Sequence, residues 1–183
     1  MRKKITLILM SLLLSLFFLF ASCGAEVDEQ GRKVYRLNES TYFKVMNNML
    51  MFPEQYDGCA IELDFFLYEI EDIHGDKTLC GVRHCSSGYG CNCGKDTVIG
   101  FILRYDGTLP EPKNQSTPDN DKAWIHAKGE LSSRQKTLLE IYAYDAEGNI
   151  DKTKTEQIYF YEFIVEEYSV IEDASNLHYY VSK

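Results

Sequence analysis

Four cysteines fall within 14 residues, as Cys80-x4-Cys85-x5-Cys91-x-Cys93, with His84 beside Cys85 and Arg83 just before it. Thiolate and imidazole are the donors that Zn²⁺ and Cu⁺ prefer, and four of them close a tetrahedral structural site. Cys91 and Cys93, two apart, point the same way if that stretch is extended. Gly88, Gly90 and Gly94 let the backbone wrap closely around an ion. The candidate metal ligands are therefore Cys80, His84, Cys85, Cys91 and Cys93, with zinc as the expected ion. The same residues admit other chemistry. The spacing contains no Cys-x2-Cys pair, and in an exported protein neighbouring thiols oxidise to disulfides. Four cysteines allow three pairings, and Cys59, in an apolar alternating stretch, is the simplest odd thiol of an all-disulfide scheme. A third chemistry is thiol redox at Cys91 and Cys93, with Arg83 and His84 nearby to lower a thiol pKa.

No other constellation supports a reaction. His74, His84, His126 and His178 are scattered, and no Gly-x-Ser-x-Gly elbow is present. Oxygen donors from Asp145 to Glu156 follow the spacing of a calcium loop, but its sixth position, which needs Gly for a sharp turn, is Ile150. The expectation is a non-catalytic protein.

The chain has 183 residues, and its first 22 hold 15 hydrophobic residues, three bases and no acid. Arg2, Lys3 and Lys4 precede an apolar run from Ile5 to Phe20, the pattern of a secretory signal. That run falls short of the ~20 residues that span a bilayer. Phe20-Ala21-Ser22-Cys23 resembles the lipobox of bacterial lipoproteins, in which the peptide is cut before the Cys and its sulfur receives a diacylglyceryl group. Several acyl chains on Cys23, each buried CH₂ contributing ~0.8 kcal/mol, make a durable anchor. Residues 1–22 are thus the expected signal peptide, and 23–33 a lipidated, flexible tether. The expected location is the outer face of the cell membrane. Beyond the leader, 161 residues carry 16 bases against 28 acids, hence a net charge of −12. Phosphate binding needs Lys and Arg to neutralise charge, so nucleic acid is not an expected partner.

The elements that must position these residues are mostly strands. After a short strand at Val34–Leu37, Tyr42, Val45, Met46, Met49 and Leu50 recur at helical spacing, and Pro53 stops the helix near Phe52. From Gly58 the period changes to two, with Cys59, Ile61, Leu63, Phe65 and Leu67 alternating with Glu62 and Asp64. Further strands are expected over 78–83, 97–105, 123–131, 137–144 and 157–171, the last bent at Glu166-Glu167. Three of the four prolines lie in a polar loop, Thr108–Asp121, whose length suits a binding loop. One helix followed by about five strands fits a mainly β, OB-like five-stranded Greek-key barrel over 34–183.

Read together, these landmarks resemble the extracytoplasmic, OB-like domain of a bacterial permease-subunit family. The resemblance runs through Leu37, Tyr42-Phe43, Pro53-x-x-Tyr56-x-Gly58, Ile61–Tyr68 and Val82-Arg83. It continues through the Cys pair with Asp96, then Ile99-Gly100-Phe101, Trp124 and Gly129, and the Tyr-bearing tail. It implies a barrel acting beside a permease or other envelope partner, in a setting of metal supply. Two departures stand out. The family's two cysteines are adjacent, whereas Asn92 separates Cys91 from Cys93, and the lipid anchor replaces the family's transmembrane helices. The rival expectation is a disulfide-stapled module whose protein or glycan ligand meets the barrel face or the Thr108–Asp121 loop.

Overall fold

The computed structural model describes residues 26–85, 97–113, 122–144, 149–178 and 180–181. The leader, Cys23, Cys91 and Cys93 lie outside the described residues. The protein is mainly β, with β1 (Val34–Arg36), helix α1 (Tyr42–Met51), a 3-10 turn (Pro53–Tyr56), β2 (Ala60–Glu71) and β3 (Lys77–Cys85) in chain order. Then follow β4 (Thr97–Arg104), β5 (Trp124–Tyr144), β6 (Ile150–Val170) and β7 (Tyr180–Val181). No helix among the described residues is long and apolar enough to cross a membrane.

Helix α1 forms where the spacing predicts it, burying Tyr42, Met46 and Met49. Asn38 prepares its start: its carbonyl accepts the amides of Thr41 and Tyr42, and its side chain accepts those of Ser40 and Thr41. The helix stops at Met51 because Pro53 disfavours helical geometry in the residue before it.

The expectation of five strands needs correction, because among the described residues the sheet has seven, in the order β1-β2-β5-β6-β4-β3-β7, with β2 also pairing β3. That extra pairing closes five of them into a ring, β2-β3-β4-β6-β5 and back to β2. Four of the five ring pairings are antiparallel and one, β4 with β6, is parallel. The additional strands are short and parallel, β1 beside the start of β2 and β7 beside His84–Cys85 of β3. The segments expected as two strands over 123–131 and 137–144 run as one. Ser132 pairs with Glu162 and Lys136 with Tyr161, so residues 133–135 bulge out without ending the ladder. The bend expected at Glu166-Glu167 is also a bulge: Lys128 faces Glu167 while Gly129 faces Val165, leaving Glu166 unpaired in the ladder.

Two hydrophobic clusters result. Inside the ring, Ile61, Leu63, Phe65 and Leu67 of β2 meet Phe101, Ile125 and Phe163, together with Tyr42, Met46 and Met49 of α1. Outside it, Phe66, Cys80, Val82 and Ile102 are covered by Leu139, Phe160 and Ala174, with Ile171 and Leu177 against them. The far halves of β5 and β6 and the C-terminal segment therefore fold back over the outer face of β2, β3 and β4. This explains why Phe66 is as buried as Phe65 despite pointing the other way.

The stretch expected as a flexible tether is structured from Glu26 onward. The Glu26 carbonyl accepts the Val34 amide and Val27 bridges Lys33. Arg32 reaches three carboxylates: Asp28 at 2.7 Å, Glu130 of β5 and Glu166 of β6 at 2.6 Å. The bulged Glu166 is thus aimed at the N-terminal turn. Glycine is required at the same place, since a Cβ on Gly129 would run into the carbonyl oxygen of Ile164.

Two outcomes follow from this packing. Gly129→Ala should cost about 3 kcal/mol of stability through backbone overpacking, measured by chemical denaturation. Arg104 beside Glu162 and Arg32 beside Glu166 hold both carboxyls below their ordinary value of 4.5. A carboxyl that is more acidic folded than unfolded contributes stability that is complete above about pH 4.5. That contribution drains away as the pH falls through the lowered values. Melting temperature should therefore drop below pH 4.5, and Arg32→Met should flatten that drop.

Candidate metal and thiol site

Strand β3 carries the sequence-predicted donors, and the pleat sorts them. Cys80 and Val82 face the outer cluster, where Cys80 is fully buried among Phe66, Ile102 and Trp124. Burial pushes its thiol pKa up to about 12, so it is neither a ready nucleophile nor a ready thiolate ligand. Its sulfur donates to the Thr78 carbonyl at 3.9 Å. His84 lies on the same face but four residues further, about 13 Å along the strand. Its ring stacks on Phe66 at 5.8 Å. Ligands of one zinc ion sit within about 2.3 Å of it, so Cys80 and His84 are not brought together around a common ion. Among the described residues no group of three His, Cys, Asp or Glu side chains is placed to hold a metal.

Cys59 and Cys80 are both free thiols. Cys59 is therefore not the sole odd thiol of a disulfide scheme, since Cys80 is unpaired as well. Cys85 is the last residue of β3, opposite Thr97 of β4 and beside Val181 of β7. The ladder holds both ends of the intervening segment together. Cys91 and Cys93, within it, fall outside the described residues, as does Cys23.

Arg83, expected as a cation near the thiols, points the opposite way. It is fully buried, with its guanidinium 4.8 Å from the Tyr42 ring and 4.9 Å from the Trp124 ring. One amino group donates to both oxygens of Glu39, at 2.8 and 2.9 Å, and to the His178 carbonyl, while the other donates to the Asp64 carbonyl at 3.3 Å. Glu39 also accepts the His178 amide at 3.1 Å. The charge of Arg83 is matched by Glu39, and the Cys91 and Cys93 thiols that it is expected to influence lie outside the described residues. Glu39, 44 residues away in sequence, was invisible to sequence reasoning.

Two further features were not foreseen. The His126 ring sits 2.7 Å from Asp64 across the β2–β5 pair, and Ser169 of β6 lies next in the row. The order acid, imidazole, hydroxyl lies on an open, partly exposed sheet face. A shallow groove of about 270 Å³ is elsewhere, lined by Asp57, Gly58, Glu130, Ser132, Ser133 and Arg134. Another part of the outer face, around Phe66, Val82 and Ile102, is covered by Leu139, Phe160 and the C-terminal segment. The described start of the Thr108–Asp121 loop is pinned, with Tyr168 donating to the Thr108 carbonyl and Leu109 packed on the inner core.

Fold and strand end together define a mainly β domain whose closed ring carries a cysteine-bearing connection at one end. The chain belongs to the DUF1980 C-terminal domain family, whose model matches residues 24–162. Neither the curated proteins nor the solved structures yield a match.

Removing the Glu39 carboxylate would leave a buried charge without its counterion. Glu39→Gln should destabilise by about 3 kcal/mol in thermal or denaturant unfolding. The double variant Glu39→Met with Arg83→Met should recover part of that loss, read as a double-mutant cycle.

Proposed function

We propose that the protein is a lipid-anchored, extracytoplasmic and non-catalytic domain that holds one soft metal ion. It serves as an accessory to a permease or other envelope partner. The ring order supports an OB-type barrel: five strands close with a single parallel pairing, and α1 fills one end of the inner core. The anchor reading rests on the lipobox at Cys23 and on a family match beginning at Gly24, the next residue.

One observation carries the metal reading. With Cys80 committed to the core, the donors that remain are His84, Cys85, Cys91 and Cys93, a Cys₃His set. Cys₃His is a standard tetrahedral zinc set, and copper(I) suits the same thiolates. Three thiols cannot all pair with one another as disulfides, so an all-disulfide scheme leaves one of them over.

Elemental analysis and intact-mass spectrometry of the purified chain test this directly. The expected result is one zinc or copper per chain, lost in Cys91→Ser and Cys93→Ser but retained in Cys80→Ser. The Cys80→Ser variant should instead melt at lower temperature, because it places a hydroxyl among apolar side chains. No stoichiometric metal, with a disulfide found within Cys85–Cys93, would replace the metal with a covalent staple.

A further inference from the structure

The N-terminal turn is fixed to the barrel with almost no slack before Cys23. Glu26 hydrogen-bonds Val34, β1 pairs with the start of β2, and Arg32 ties the turn to Glu130 and Glu166. Whatever path the chain takes, the three residues from Cys23 to Glu26 span at most about 11 Å. A folded domain of this length has a radius of gyration of about 15 Å. A lipid on Cys23 therefore leaves the domain no room to turn over.

The surface beside that turn carries exposed apolar side chains: Val27 is 59% exposed, Met51 62% and Phe52 42%. A run of contacts connects Val27 to the turn after Phe52. Val27 bridges Lys33, whose ammonium donates to the Tyr35 hydroxyl at 2.6 Å. The Tyr35 ring meets that of Tyr56 at 4.7 Å, at the end of the turn that follows Phe52. The Gln55 amide in that turn donates to the Phe52 carbonyl. Around them stand exposed carboxylates, Glu26, Glu29, Glu54 and Asp57. Their charge disfavours anionic headgroups, so apolar contact rather than electrostatic attraction holds this surface to lipid.

We infer that the end of the domain bearing Val27, Met51 and Phe52 is a membrane-contact surface, kept against the lipid headgroups by the short chain from Cys23 to Glu26. This rests on the lipid-anchor reading above. Hydrogen–deuterium exchange of the full, processed protein in phosphatidylcholine vesicles tests it. The comparison is a variant with a long flexible Gly-Ser insertion after Gly24, which frees the domain without altering its fold. Peptides covering 26–36 and 49–59 should exchange several-fold more slowly in the native chain, while 150–160 should exchange equally in both. Met51→Ser with Phe52→Ser, at two exposed positions, should remove the protection of 49–59 and leave that of 26–36. Equal exchange in native and extended chains would overturn the contact surface even with a lipid adduct on Cys23 in the intact mass. Unchanged protection of 49–59 in the double variant would also overturn it. A mass without the adduct would overturn both readings.

Discussion

A single guanidinium holds the protein's separate parts in register. Arg83 leaves β3 toward the inside of the ring and finds Glu39 ahead of α1, a β2 carbonyl at Asp64 and the His178 carbonyl near the chain's end. Burying an ion of this size without partners costs several kcal/mol, so the arrangement persists only while all of them are present. The rings of Tyr42 and Trp124 close over it, one from the inner cluster and one from the outer. The two hydrophobic cores thus meet at one charge, and the helix, the ring and the C-terminal segment are positioned by it.

The ring is shaped by its irregularities. Strands β5 and β6 are each 21 residues long, too long to lie on one wall of a small barrel. The bulges at 133–135 and at Glu166 let the same two strands line the inner cluster at one end and cap the outer cluster at the other. Glycines mark the close approaches: Gly81 lies against the Phe65 ring and Gly129 against the Ile164 carbonyl. The far end of the β5–β6 pair thereby covers the outer face of β2, β3 and β4 around Phe66, Val82 and Ile102.

What was legible in the sequence was local. The helix from Tyr42, its stop before Pro53 and the alternation in β2 follow from periodicity and from the restricted backbone before a proline. Residues that carry the family resemblance, Tyr42, Arg83, Gly100, Trp124 and Gly129, are those packed around the buried charge or required at close backbone contacts. Long-range effects were not legible. Residues 132–136 fall between two expected strands, yet the ladder to β6 continues across them with a bulge at 133–135. Residues 24–33 read as a linker because Arg32's partners Glu130 and Glu166 are about a hundred residues away. Cys80 reads as one donor among five, because only the covering of the outer face shows that its neighbours are Phe66, Ile102 and Trp124.

The place of His178 in the Arg83 network bears on how the fold is assembled. Glu39 and Arg83 are 44 residues apart, and the His178 carbonyl is 95 residues from Arg83. Val181, buried beside β3, shares that long separation. Closing loops of such length costs conformational entropy before any contact offsets it, which sets this network apart from the local contacts within α1 and between β2 and β3.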